Sequence, residues 1–298
     1  MRELVGQREQ KEIDQLVDKI LRDLGRPEPP LDLRMVRELL RLDRKYYSSA
    51  DIGPLAEFAH RIKVAGKRLA EDPLLILDVV KKAKLSGLWL PDDRKIFIDS
   101  EVPPLKHRWI EAHEVAHSFV PWHSEFLLGD NEVTLNPTCH ETIEAEANFG
   151  AGRLLFFGPQ FSTESKDFSQ SFKSVETLKA RFGNTLTSTF WRFVEDRDPA
   201  QATFGLISAH PHHADIGPTA DGTGIHHFIT SLGFRQMFPG VTASQAYSLI
   251  QRNTSWKRRG PVVGGNDSLI DLRGEKRVIA LDGFCNTHQV LTMGWLAS

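Results

Sequence analysis

Cysteine is nearly absent from this chain: its 298 residues include two, Cys139 and Cys285. Two thiols cannot build the disulfide framework of a small secreted domain, and so sparse a use of cysteine fits a reducing compartment. No apolar run approaches the length that crosses a bilayer, so no membrane association is expected. The opening stretch, Met1-Arg-Glu-Leu-Val-Gly-Gln-Arg-Glu-Gln10, lacks the apolar core of a signal peptide. The expectation is a cytoplasmic protein. Charge of neither sign is in excess, with 37 Lys and Arg against 39 Asp and Glu and a formal net charge of −2. A nearly neutral chain has no global pull toward nucleic acid or a lipid surface, so direct nucleic-acid binding is not expected. Internal repeats and low-complexity tracts are also missing. What remains is ordinary globular material, 40% hydrophobic and 26% charged. The chain is long enough for one sizeable core or two domains.

Against that plain background one stretch stands out: His113-Glu114-Val115-Ala116-His117. Residues four apart share one face of a helix, so His113 and His117 can offer two imidazole nitrogens to a single Zn²⁺. Glu114 projects beside them, placed to take a proton from the attacking water. Leu105 through Val120 contains no glycine, and Pro103-Pro104 sits where a helix can begin. A helix that merely carries two histidines and a glutamate would read the same way locally.

A second helix decides between these readings. Glu141 through Phe156 has an apolar stripe at Ile143, Ala147, Ala151 and Leu154-Leu155. Glu144 and Asn148, again four apart, share a face. A catalytic zinc takes three protein ligands and leaves one position open, which a carboxylate at Glu144 satisfies. Asn148, one turn on, can accept the outer N–H of a ligating histidine and fix its orientation. Glu141, Glu144 and Glu146 could also form a solvated acidic face, and Glu146 is read that way. Cys139-His140 and Cys285 are read as structural, because a thiolate ligand would demand a different ligand set.

These two segments, Ala112-His-Glu-Val-Ala-His117 and Glu144-Ala-Glu-Ala-Asn-Phe-Gly-Ala-Gly-Arg-Leu-Leu155, resemble the ImmA/IrrE family of zinc metallopeptidases. The resemblance extends over roughly residues 30–160, including a strand Leu88-Trp-Leu90, a polar turn and a strand Ile96-Phe-Ile98 before the first helix. It implies zinc at His113, His117 and Glu144 with Glu114 as general base. It also implies a protein substrate, a helix-turn-helix repressor. The family usually has Phe and Ala where Gly150 and Gly152 stand, and Met-Pro after the Leu-Leu; these are packing positions.

His123 offers a rival third ligand, at the spacing of H-E-x-x-H-x-x-G-x-x-H. That pattern needs a glycine turn where this chain has Val120, a poor residue for positive φ. His123 is therefore expected either near the mouth of the cleft, as a contact to substrate or to the developing oxyanion, or as an ordinary surface histidine. His107 and the three tyrosines, Tyr46, Tyr47 and Tyr247, are further candidates for that contact.

The fold class expected is α+β: a mostly helical, zincin-like metallopeptidase core with a small β-sheet, then a mixed α/β C-terminal region. Residues 1–30 read as an N-terminal helix (8–25) and linker, 31–200 as the metallopeptidase-like domain, and 201–298 as a region for partner recognition or sensing. Within them, helices are expected at 31–42, in pieces over 54–84, and at 243–251. A β-hairpin is expected at 88–99. A loop with a short strand is expected over 124–138, and strands at 203–208, 278–281 and 290–295. Residues 174–194 spell helix, turn, helix, but the second helix carries Phe190, Trp191 and Phe193 and little basic charge beyond Arg192. It is expected to pack on the protease core and not to enter DNA. His210-Pro-His-His213 and the basic Lys257-Arg-Arg259 are read as incidental surface features.

Overall fold

The helix nearest the start of the chain shows how the first half is assembled. In α1 (Gln7–Asp23) the apolar residues Ile13, Val17, Ile20 and Leu21 recur at helical spacing and are buried. They lie against a long helix, α4 (Pro137–Leu155), and Arg153 of α4 pairs with Asp14 of α1. The structure, a computed structural model, describes residues 5–47, 87–90, 94–123 and 137–297. The helices expected over 54–84 and the loop and strand expected over 124–136 lie outside the described residues.

A short helix, α2 (Leu33–Leu40), begins where Asp32 accepts the Arg34 N–H at 2.8 Å and stops where Arg41 turns left-handed, φ 55°. Next come three strands: β1 (Asp43–Tyr47), β2 (Gly87–Leu90) and β3 (Lys95–Asp99). β3 is central, parallel to β1 and antiparallel to β2. Its Ile96, Phe97 and Ile98 are all buried, as a central strand requires. The hairpin is where the sequence placed it. β1 was not anticipated, because Asp-Arg-Lys-Tyr-Tyr is polar at four exposed positions in a row.

Helix α3 (Pro104–Phe119) packs on this sheet and on α4. Its seam with α4 is close. A Cβ at Gly150 would stand 3.1 Å from Ala116 Cβ and 3.2 Å from the Phe119 ring. Two small residues, Ala116 and Gly150, therefore set how near the helices come. Glu111 of α3, 4% exposed, receives Arg37 of α2 and Arg44 of β1, each at 2.7 Å.

The chain divides into two compact units at Gly158–Pro159. The sequence suggests boundaries at 30 and 200; in this division α1 falls in the first unit and the helices after Pro159 in the second. The second unit opens with α5 (Pro159–Lys166), α6 (Phe172–Phe182) and α7 (Leu186–Asp196). Strands β4 (Thr203–Ser208) and β5 (Ile225–Thr230) follow, then α8 (Leu232–Met237) and α9 (Ala243–Arg252). Strands β6 (Gly260–Ile270), β7 (Lys276–Cys285) and β8 (Val290–Leu296) complete the unit. The five strands form one antiparallel sheet in the order β5-β4-β8-β7-β6.

Both faces of β4 are covered, so all six of its residues are buried. On one face α7 comes down on Gly205, where a Cβ would stand 2.9 Å from Phe190 and from Val194. On the other, Phe204 and Leu206 share a core with Phe234, Leu249 and Ile250 of α8 and α9. The aromatic face of α7, expected on the protease core, packs on this sheet. The class is α+β, one mixed and one antiparallel sheet with helices against each.

Candidate metal centre

Three side chains from α3 and α4 converge. His113 Nε2 and His117 Nε2 are 3.1 Å apart. Glu144 sets one carboxylate oxygen 3.2 Å from His113 Nε2 and the other 3.5 Å from His117 Nε2. One ligand atom from each residue lies within 4.8 Å of the others, so the group could hold a metal ion. The i, i+4 spacing on α3 makes the two imidazoles neighbours, and the close seam with α4 brings Glu144 across to them. The outer nitrogen of each ring is also engaged. His113 Nδ1 lies 3.2 Å from Asn148 Oδ1, and the Asn148 amide is oriented by donating to the Glu144 carbonyl at 2.8 Å. His117 Nδ1 lies 3.0 Å from Nδ1 of His123.

Burial and charge act against each other here. Burial tends to raise the Glu144 carboxyl, but hydrogen bonds to His113 and His117 outweigh it and hold the group well below the usual carboxylate range. For His117 burial wins, pushing it down to about 4 against the pull of Glu144. Burial also works to lower His113, but the Glu144 hydrogen bond and the charge of Glu114 raise it overall. Glu114 is 6% exposed, and its burial pushes it up to about 7. Its carboxylate lies against the backbone of β2: a Cβ at Gly87 would be 2.5 Å from Glu114 Oε1.

Two expectations need correction. His123 is not at a cleft mouth; it is 0% exposed, behind His117, with its Nε2 2.9 Å from Glu146 Oε2. Val120 ends α3 with φ −83°, so the chain turns toward His123 without a left-handed residue. His107 is not among the converging residues; its Nε2 is 2.6 Å from the Val102 carbonyl, at the start of the helix. Of the tyrosines, Tyr46 is exposed, and Tyr47 is buried with its hydroxyl pushed up to about 12, first by burial and then by Asp99 and Glu114. Tyr247 belongs to the second unit.

Glu146, expected in solvent, is 3% exposed and accepts the Trp122 indole N–H at 2.6 Å on the same oxygen that faces His123. No spacing in the sequence announces this. Glu146 lies about 200° around the helix from Glu144, and only the packing of the helices puts Trp122 and His123 beneath it. In the second unit, the ring nitrogens of His210, His212 and His213 meet the carbonyls of Lys257, Thr254 and Trp256 at 2.8–3.0 Å. These histidines fasten a loop. Cys285 is buried, its Sγ 3.1 Å from the Arg258 carbonyl.

No helix among the described residues is long and apolar enough to cross a membrane. No family model matches the sequence, and no curated protein matches it. Solved structures do. One is a Mycobacterium tuberculosis transcriptional regulator, 9% identical, matched over 96% of this chain and 76% of that one with a TM-score of 0.53. At that identity the likeness shows a shared fold.

Proposed function

We propose that this chain is a zinc-dependent endopeptidase that cuts a specific cytoplasmic protein, a helix-turn-helix repressor by the resemblance to ImmA/IrrE metallopeptidases. The observation that carries the reading is the spacing of the three candidate ligands. Tetrahedral zinc with ligands about 2.0–2.1 Å away sets neighbouring ligand atoms about 3.3 Å apart; the two histidine Nε2 atoms are 3.1 Å apart, and Glu144 approaches each of them with a different carboxylate oxygen, at 3.2 and 3.5 Å. His113, His117 and Glu144 would hold the ion, leaving a position open. Bound there, zinc supplies Lewis acidity to the scissile carbonyl and to the attacking water.

The chain's own residues do the rest. Glu114, next to His113 on α3 and 6% exposed, is the carboxylate placed to act as general base. It takes the proton of the attacking water and passes it to the leaving amine. Asn148 orients His113. Residues 159–298 form a separate compact unit, and we assign to it the selection of the partner.

The alternative is a regulatory module that keeps the fold for binding DNA or protein without chemistry. The transcriptional regulator among the solved structures is the observation on its side. One experiment separates the two. Purified protein and its Glu114→Gln variant are assayed for bound zinc and for cleavage of candidate repressors and of casein, with and without chelator. The reading expects zinc in both proteins and chelator-sensitive cleavage of a repressor by the unsubstituted chain alone. Rapid digestion of casein would remove the narrow target. Zinc bound with nothing cleaved would favour the binding module.

A further inference from the structure

We infer that Glu146 and His123 form a two-link tether that holds His117 with its proton on Nδ1, so that Nε2 is presented to the metal. The inference rests on the metal-site reading above and extends it to residues with no direct contact to the ion. It follows from counting donors. His117 Nε2 points at His113 and Glu144, so as a ligand it must carry the lone pair. Its Nδ1 then carries the hydrogen and donates across 3.0 Å to His123 Nδ1. His123 is left with its hydrogen on Nε2, which donates across 2.9 Å to Glu146 Oε2. The opposite arrangement would point two lone pairs at each other between His123 and Glu146.

The tether is built into the interior. His123 is 0% and Glu146 3% exposed, and the Trp122 indole steadies the same carboxylate oxygen at 2.6 Å. Each metal-facing histidine thus has a different support: an amide for His113 and a histidine–carboxylate pair for His117. A carboxylate at the end of such a chain fixes the ring and makes the ligating nitrogen a better donor. His123 and Glu146 are positioning residues.

Two variants of nearly equal size test the acceptor. His123→Asn keeps an oxygen where Nδ1 stood; His123→Leu removes it. Zinc affinity of the full chain is measured by competition with a chromophoric chelator at neutral pH, with circular dichroism as the check on folding. The leucine variant is expected to bind zinc about 10- to 100-fold more weakly, and the asparagine variant to recover most of that loss. Equal affinity in all three proteins would overturn the tether. So would an equal loss in both variants, which would mark a packing role. Nitrogen NMR of the zinc-loaded, unsubstituted protein decides the matter even if a variant fails to fold. The His123 ring, identified by its proximity to Trp122, must show hydrogen on Nε2 and none on Nδ1; the reverse overturns the inference. A protein that binds no zinc at all would instead remove the function proposed above, a separable result.

Discussion

Replacing Glu114 by glutamine should stabilise the metal-free protein, and do so only at higher pH. The side chain is 6% exposed, and burial raises its carboxyl from 4.5 to about 7. The folded state therefore prefers the protonated form. Below 4.5 both folded and unfolded chains carry the proton, and glutamine, a neutral mimic of similar size, changes little. Between 4.5 and 7 the unfolded chain ionises while the folded one resists, and stability drains away as pH rises. Above 7 the full penalty is present. A shift of this size corresponds to about 3 kcal/mol, a large share of the stability of an ordinary domain. The assay is urea unfolding of the full chain in chelator at about pH 5 and pH 8. Amide exchange in peptides of α3 and α4 would isolate this unit from the other. The variant should exceed the unsubstituted protein by under ~1 kcal/mol at the lower pH and by about 3 kcal/mol at the higher. An advantage that does not grow with pH would refute the argument that burial of this carboxylate is a cost in the absence of metal.

Two other perturbations follow from the same unit. Glu111→Ala would strand Arg37 and Arg44, which now share a carboxylate that is 4% exposed; a loss of about 3–5 kcal/mol is expected, and an unchanged unfolding midpoint would show the ion triad to be dispensable. Gly87→Ala would drive a methyl to 2.5 Å from Glu114 Oε1 and 2.6 Å from Ile110. A stability loss of ~1–3 kcal/mol is expected, together with retained zinc affinity and a lower kcat; unaltered turnover would separate Gly87 from the chemistry.

Much of the fold was legible wherever one face alone decides the pattern. α1, α3, α4 and α9 repeat apolar residues at helical spacing, and β4, β7 and β8 are apolar or alternating. The candidate ligands were legible for the same reason: i, i+4 pairs are a local property. β1 and β6 were not. β1 is charged, and β6 reads Gly-Pro-Val-Val-Gly-Gly-Asn-Asp, the composition of a loop. Its ten-residue neighbour β7 holds it extended by a ladder of backbone bonds, and Gly265, at φ 105°, adopts a conformation other residues avoid. The boundary at Gly158 was hidden because an apolar helix face such as that of α7 does not name the surface it will cover. His123 and Glu146 were misjudged for a related reason. A buried polar pair depends on two side chains meeting across helices, and periodicity along one chain carries no record of that meeting.

The candidate ligands are split, two on α3 and one on α4, and this has a consequence beyond chemistry. An ion gripping His117 and Glu144 would join two points separated by the intervening stretch of chain, as a covalent bridge does. Such a clip disfavours the unfolded chain by closing a loop in it. The only cysteine whose side chain is described, Cys285, is a free thiol, so the ion would serve as the molecule's removable cross-link. Loss of such an ion would then loosen the pairing of α3 with α4, leaving the small-residue seam of Ala116 and Gly150 between the two helices.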